Sequence, residues 1–190
     1  NRLGAILAYA AGGRDRRGFV LGGRRRFVCR PEWMAYLMVV SKQRYGTPFN
    51  VGDQFPRGAG FAPTGAGVAL QVPAEAREEM DRRWAALGID PGVSLIGLQP
   101  GASAPMRQWP TDSLAAVAQR LYRALACHVV LLGTDKERPL GEAIQAQLPT
   151  GAATSLMGET SVATLAAAVQ RLKLLITNDT GPMHVACGVG

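Results

Sequence analysis

From Val93 onward the chain repeats one pattern: a short apolar run, a turn, then a helix with one apolar face. The runs occupy residues 93–98, 129–132, 154–156 and 174–177. Apolar runs of this length without polar alternation are strands buried on both faces. That requires a parallel sheet with helices on each side. The spacing predicts helices that start at Thr111 or Asp112, cover residues 136–148, start at Thr160 or Ser161, and start at Pro182. Leu114, Val117, Ala118, Leu121 and Leu125 form the expected inner face of the first. Val162, Leu165, Ala166, Val169 and Leu172 form that of the third. In such sheets ligands bind beyond the carboxyl ends of the strands. The loops after Leu98, Leu132, Leu156 and Thr177 are therefore the candidate binding positions.

The earlier residues lack this regularity. Residues 3–11 suit a helix, and residues 18–21 a short strand closed by Gly22 and Gly23. Residues 32–44 place Trp33, Tyr36, Leu37 and Val40 on one helical face. Residues 46–73 are rich in glycine and proline and read as a loop or connector. Residues 75–87 read as an exposed charged helix ending at Gly88. The expected division is residues 1–88, a partial N-terminal domain with its connector, and residues 89–190, the strand–helix domain.

The net charge is +7, and it is unevenly placed. Residues 1–44 hold nine arginines and one lysine against Asp15 and Glu32. Arg14, Arg16, Arg17, Arg24, Arg25, Arg26 and Arg30 are the centre of this basic region. It reads as a solvated face, or as a contact for an anionic membrane surface or anionic substrate. Nucleic acid is not expected, because only Phe19 and Phe27 interleave with these arginines. There is no apolar run long enough to cross a bilayer as a helix, and the apolar stretch at 3–11 has no charged leader. Cys29, Cys127 and Cys187 lack metal-ligand spacing, so no metal and a reduced, cytoplasmic setting are expected. The chain does not begin with methionine, and it is expected to start inside a longer protein.

The loop after Thr177 carries the most chemistry. Asn178, Asp179, Thr180 and Gly181 lead into a helix at Pro182, where a missing N–H costs nothing. The free N–H groups of Thr180, Gly181, Met183 and His184 then form an anion site. Thr180 can add a hydroxyl donor and His184 a ring N–H. Asp179 either holds the loop through backbone N–H groups or accepts from a sugar hydroxyl. After Leu98, Gly101 and Ser103 offer donors, and Arg107 a fork that matches diphosphate oxygens. Trp109 reads as packing. After Leu132, Glu137 either binds ribose hydroxyls or simply favours the helix dipole. After Leu156, Thr160 either caps the next helix or lines a base pocket. The chain contains no GxGxxG, no Walker loop and no GxSxG elbow, which argues against a simple dehydrogenase, NTPase or hydrolase.

The segment Thr177-Asn178-Asp179-Thr180-Gly181-Pro182-Met183-His184-Val185-Ala186 resembles the signature of glycosyltransferase family 9, the ADP-heptose:lipopolysaccharide heptosyltransferases. Pro100-Gly101-Ala102-Ser103 and Arg107-Gln108-Trp109-Pro110 resemble that family's first phosphate loop. The resemblance covers residues 95–190. It implies an α/β fold of the GT-B type, with a Rossmann-like nucleotide-sugar domain at 89–190 and an acceptor-side domain before it. It implies metal-independent, inverting transfer of heptose from ADP-heptose to a lipopolysaccharide core, without a cofactor, in the cytoplasm or peripherally on the inner membrane. Carried over by position, Asp179, Thr180, Gly181, His184, Ser103 and Arg107 meet donor phosphates and sugar. Glu137 and Thr160 serve the ribose and base. The family commonly has lysine where Arg107 stands. The resemblance also implies a general base in a Gly-Asp loop before residue 3, and a further strand, Gly-Pro loop and helices after Gly190. Two alternatives stand beside it: a nucleotide-sugar epimerase of similar fold, and a non-catalytic module that docks on anionic surfaces.

Overall fold

The structure, a computed structural model, describes residues 5–6, 9–12, 14–16, 18–21, 26–30, 39, 56–57, 59–62 and 69–190. Two compact units are present, Asn1–Val68 and Ala69–Gly190.

In the first unit, β1 (Gly18–Leu21) pairs antiparallel with β2 (Phe27–Arg30), from Gly18 opposite Arg30 to Leu21 opposite Phe27. Val20 and Ala5 are buried. The strand expected at 18–21 is β1. Of the helix expected at 3–11, residues 5–6 and 9–11 are described; 5–6 and 9–10 are helical, and Ala11 is already in a turn. The expected face of Trp33, Tyr36, Leu37 and Val40 lies outside the described residues, as do most of the 46–73 connector and the pair Gly22-Gly23. Among the basic residues, Arg14 and Arg26 are exposed. The Arg16 guanidinium stands 4.8 Å from the centroid of the Tyr9 ring, a cation–π contact. Arg17, Arg24 and Arg25 lie outside the described residues, and Arg30 is described by its backbone alone.

The second unit opens with α1 (Ala74–Ala86). Its end is a Schellman turn: Gly88, at φ +68°, donates to Ala85 and Ile89 donates to Trp84. The sequence marks this helix as exposed and charged, and one face is. The other buries Ala76, Met80 and Trp84, spaced four apart, into the core of the second unit. Burying side chains as large as Met80 and Trp84 contributes roughly 1.5–3 kcal/mol each. The compact unit thus begins at Ala69, and α1 lies within it rather than in a connector before residue 89.

Four parallel strands follow: β3 (Leu95–Gln99), β4 (His128–Leu131), β5 (Ala153–Ser155) and β6 (Leu172–Thr177). They lie in the order β5-β4-β3-β6. The helices between them are α2 (Thr111–Leu125), α3 (Arg138–Gln145), which follows a 3-10 turn at Asp135–Glu137, and α4 (Val162–Arg171). After β6 comes α5 (Gly181–Val189). Alternate residues of β4 point to opposite faces. Val130 joins the core under α1 and α4, and Val129 and Leu131 join the core under α2 and α3. Gly97 in β3 leaves room for its neighbours, since a Cβ there would lie 2.4 Å from Leu172 Cδ1.

Two apolar positions depart from expectation. Leu125, placed on the inner face of α2, is exposed where that helix ends. Val162 is 70% exposed, because α4 turns Thr164 and Ala166–Val169 inward instead. Leu172 already belongs to β6. That strand is half-buried, unlike its neighbours, because it is the edge of the four-stranded sheet.

The helix α2 ends on Ala126 in the left-handed region at φ 45°, its N–H bonded to the Tyr122 carbonyl. A side chain in this conformation costs about 1–2 kcal/mol that glycine avoids. Ala126→Gly should therefore raise stability by about 0.5–1 kcal/mol after the loss of unfolded-state entropy, read from the urea midpoint.

His128 opens β4 at the end of the sheet opposite the candidate loops, with Nε2 2.8 Å from Thr154 Oγ1. Burial lowers its pKa below the ordinary 6.5. Between the lowered value and 6.5 the unfolded chain binds more protons than the native one. Stability is thus complete above the ordinary histidine value and falls as pH drops through this window. Thermal melts between about pH 5 and pH 8 should show this acid-side loss, and His128→Gln should reduce it.

Candidate functional site

The parallel sheet brings every carboxyl strand end to one side, and the loops there enclose a cleft of about 820 Å³. Ser103 and Arg107 come from the loop after β3, Glu137 from that after β4, and Thr160 from that after β5. Asp179, Thr180, Gly181 and His184 come from the loop after β6 and the first turn of α5. These eight candidate residues thus line one cleft, whereas Gly101 and Met183, also offered as backbone donors, are not part of its lining. Val162, Leu165 and Val185 add an apolar wall.

At the start of α5, Thr180 is the N-cap with extended backbone, Gly181 is the first helical residue, and Pro182 comes one position later than expected. Met183 N–H, expected free, donates to the Thr180 carbonyl at 3.1 Å. Among the described residues nothing accepts from the N–H of Gly181. A Cβ at Gly181 would meet nothing within 4 Å, so packing does not demand glycine there. The Thr180 hydroxyl, expected as a donor into the cleft, instead donates to Gln99 Oε1 at 3.0 Å. His184 is exposed in the first turn of α5.

Among the described residues no backbone N–H donates to the Asp179 carboxylate, the loop-holding contact that was one of its two expected roles. Its Oδ2 lies 3.8 Å from the Arg107 guanidinium. Both side chains are about half exposed or more, 48% for Arg107 and 64% for Asp179, and such a pair is worth little in water. An anion entering the cleft can take Arg107 from it at small cost, with the stronger bidentate geometry that phosphate offers.

Glu137 sits where its loop turns into the Asp135–Glu137 3-10 turn. Its Oε2 accepts from the Thr134 N–H at 2.7 Å and from the Thr134 hydroxyl at 2.8 Å. The carboxylate also lies against Gly101, where an added Cβ would fall 1.5 Å from Oε1. Gly101 is therefore glycine so that the loop after β3 can approach this carboxylate.

The loop after β5 approaches the same turn. Gly158, at φ +73°, donates to the Gly133 carbonyl at 2.8 Å, and a Cβ there would crowd the Asp135 backbone. The cap of α4 is Ser161, whose hydroxyl accepts from Thr164 N–H while the Ser161 N–H donates to Thr164 Oγ1. Thr160 is not the cap, and it faces the cleft.

The family model of glycosyltransferase family 9 (heptosyltransferase) matches residues 5–190. This chain belongs to glycosyltransferase family 9. It is 32% identical over 120 residues to lipooligosaccharide heptosyltransferase 2 of Haemophilus influenzae, covering 61% of this chain and 34% of that protein. The solved structure of Escherichia coli ADP-heptose lps heptosyltransferase II superposes with a TM-score of 0.55 at 30% identity, covering 62% of this chain and 36% of that one. The family 9 glycosyl transferase from Veillonella parvula superposes with a TM-score of 0.60 at 25% identity, covering 93% of this chain and 43% of that one. The chain therefore spans less than half the length of these relatives. The fold is α/β of the GT-B type, with the parallel-sheet unit described above.

In this family 9 chain, two polar residues that build the site carry little sequence signal of that role. Asn178 donates through Nδ2 to the carbonyls of Pro100 and Gly101, each at 2.9 Å. It accepts at Oδ1 from the Trp109 N–H at 3.0 Å. It thus ties the loop after β3 to the loop after β6. Trp109, read as packing, leaves its side chain 44% exposed and contributes its backbone to this tie. Gln99 is buried beneath the cleft and accepts from Thr177 and Thr180. Its only sequence signal is a polar residue closing an apolar strand.

The two glycines of the cleft should respond differently to a methyl group. Gly101→Ala drives a side chain into Glu137 and should cost about 1–3 kcal/mol of stability. Gly181→Ala meets open space and should leave stability within about 0.5 kcal/mol. Denaturant melts of the two variants would check this, and a large loss from Gly181→Ala would contradict the geometry.

Proposed function

We propose that the cleft holds the donor of a glycosyl transfer, ADP-heptose, with its diphosphate at the start of α5. The observation that carries this reading is the bare N–H of Gly181 at a helix start, facing Arg107 and His184 across one cleft. Gly181 N–H has no acceptor among the described residues and Arg107 has only its weak, exposed pair with Asp179, so both can turn to a diphosphate. Glu137 supplies a carboxylate for ribose hydroxyls, which replace its bonds to Thr134. Thr160 lies beside Val162 and Leu165, where an apolar wall suits the flat face of a base.

In this reading the protein is an inverting, metal-independent glycosyltransferase. An acceptor hydroxyl of the lipopolysaccharide core attacks the anomeric carbon of the heptose and gives up its proton to a general base, the bond to the diphosphate oxygen breaks, and ADP leaves. Charge grows on that diphosphate in the transition state. The helix start and Arg107 are placed to stabilise it, and loss of one such donor typically lowers the rate by about a hundredfold or more. Membership of family 9 and the likeness to a solved ADP-heptose heptosyltransferase support the donor assignment. The N-terminal unit would serve the acceptor side. Its exposed Arg14 and Arg26 would face the acidic lipid substrate or the anionic cytoplasmic leaflet. Among the described residues no helix is long and apolar enough to cross a membrane.

Calorimetric titration with ADP-heptose and with ADP tests the donor site. Changing both Thr180 and His184 to Ala should weaken binding at least tenfold, about 1.4 kcal/mol. Thr180 acts here by shaping the helix start and His184 by direct donation. Undiminished affinity in the double variant would remove the diphosphate from this end of the cleft.

A further inference from the structure

We infer that Gln99 is a further ligand-binding residue, whose amide N–H donates to an anionic oxygen of the bound diphosphate. The inference rests on the nucleotide-sugar reading above and adds to it a side chain that carries no place in that reading. Gln99 is the last residue of β3. It is only 2% exposed, yet it lines the cleft. A buried strand end in an apolar sheet is apolar by default, as Leu131 is at the end of β4.

The contacts of Gln99 orient its amide. Oε1 accepts from the hydroxyls of Thr177 and Thr180, each at 3.0 Å. The single Thr177 hydroxyl hydrogen also has the Asn178 carbonyl at 2.9 Å, so the Thr180 hydroxyl is the firmer donor to Oε1, and the two contacts together hold the amide plane. Nε2 then has no protein acceptor among the described residues, and it opens onto the cleft, where a ligand atom can meet it. The cleft is the side on which a partner can enter.

The surroundings name the partner's chemistry. Beside Gln99 the cleft presents the Gly181 N–H, the Arg107 guanidinium and the His184 ring. Each carboxylate of the cleft has a partner of its own: Asp179 faces Arg107, Glu137 accepts from Thr134, and Asp135 pairs with Arg138. A site built of donors takes an oxyanion, and phosphate oxygens are the oxyanion that a helix start accommodates. Thr177 and Thr180 thus have a role distinct from touching ligand, since they aim the Gln99 amide.

The test titrates the whole 190-residue chain with ADP and, separately, with adenosine. Gln99→Met keeps the length of the side chain and removes the N–H. Gln99→Glu keeps an acceptor for Thr177 and Thr180 and turns an oxygen toward the cleft. The ADP dissociation constant should rise about tenfold in Gln99→Met, the scale of one charge-assisted hydrogen bond, and further in Gln99→Glu. Adenosine affinity should not change in either. Near-ultraviolet circular dichroism establishes that each variant is folded. Where Gln99→Met does not fold, Gln99→Asn, which withdraws the amide by one carbon, should give the same ADP-specific loss. Wild-type ADP affinity in folded variants overturns the inference. So does an equal loss for ADP and adenosine, which is the mark of a purely structural role. A gain or no change in Gln99→Glu alone means that the amide presents its oxygen, and it overturns the inference too. If the wild-type chain binds ADP and these variants fail the test, the nucleotide reading stands without Gln99. If the wild-type chain binds neither compound, the nucleotide reading falls and Gln99 with it.

Discussion

Gln99 and Thr177 are register partners at the carboxyl ends of β3 and β6, and this parallel pairing sets where two loops begin. One loop carries Ser103 and Arg107, and the other carries Asp179 to Gly181. In a parallel sheet adjacent strands end on the same side, so residues 78 apart in sequence become neighbours without any further device. Asn178 then closes the remaining distance with three hydrogen bonds from one side chain. The cleft depends on this join. Without it Arg107 would hang on a loop of glycine, alanine, serine and proline, with only a weak ion pair to Asp179 to place it.

A second join supports the opposite wall. The Glu137 carboxylate is held by the N–H and hydroxyl of Thr134, and the loop after β3 presses on it at Gly101. Gly158 brings the loop after β5 onto Asp135 from the other side. Three loops thus meet around one 3-10 turn, and each close approach needs a glycine for a different reason. At Gly101 the reason is contact with a side chain, and at Gly158 it is a left-handed backbone against another backbone. Gly181 differs from both. The fold leaves it open space, so its lack of a side chain matters to whatever approaches α5 from the cleft.

The strands and helices of the second unit were largely legible because their signals are local. Four apolar runs, each ended by a turn, leave a parallel sheet as the economical way to bury both faces. Local signals fail where helix faces meet their neighbours. Val162 was placed in the core by helical spacing, but Thr164 and the alanines of α4 pack there, and Val162 turns to the cleft. The helix Ala74–Ala86 looked exposed because its charges dominate its composition. Met80 and Trp84 become core only once α4 is beside them. Thr160 and Ser161 are both plausible caps in sequence, and only the reciprocal bonds with Thr164 decide for Ser161.

The sequence by itself determined the class of fold, the family, and which loops bear donors, since strand period, turn residues and a ten-residue motif are all local properties. It named Arg107, Asp179, Thr180, Gly181 and His184 as chemistry without saying how they face one another. Tertiary structure alone decided that the Thr180 hydroxyl bonds to Gln99, that Arg107 rests on Asp179, and that Glu137 is held by Thr134. The physical reason is that a hydrogen bond depends on distance and direction between groups far apart in the chain. Those are set by strand register and by buried polar side chains such as Gln99 and Asn178, which carry no periodic signal of their own.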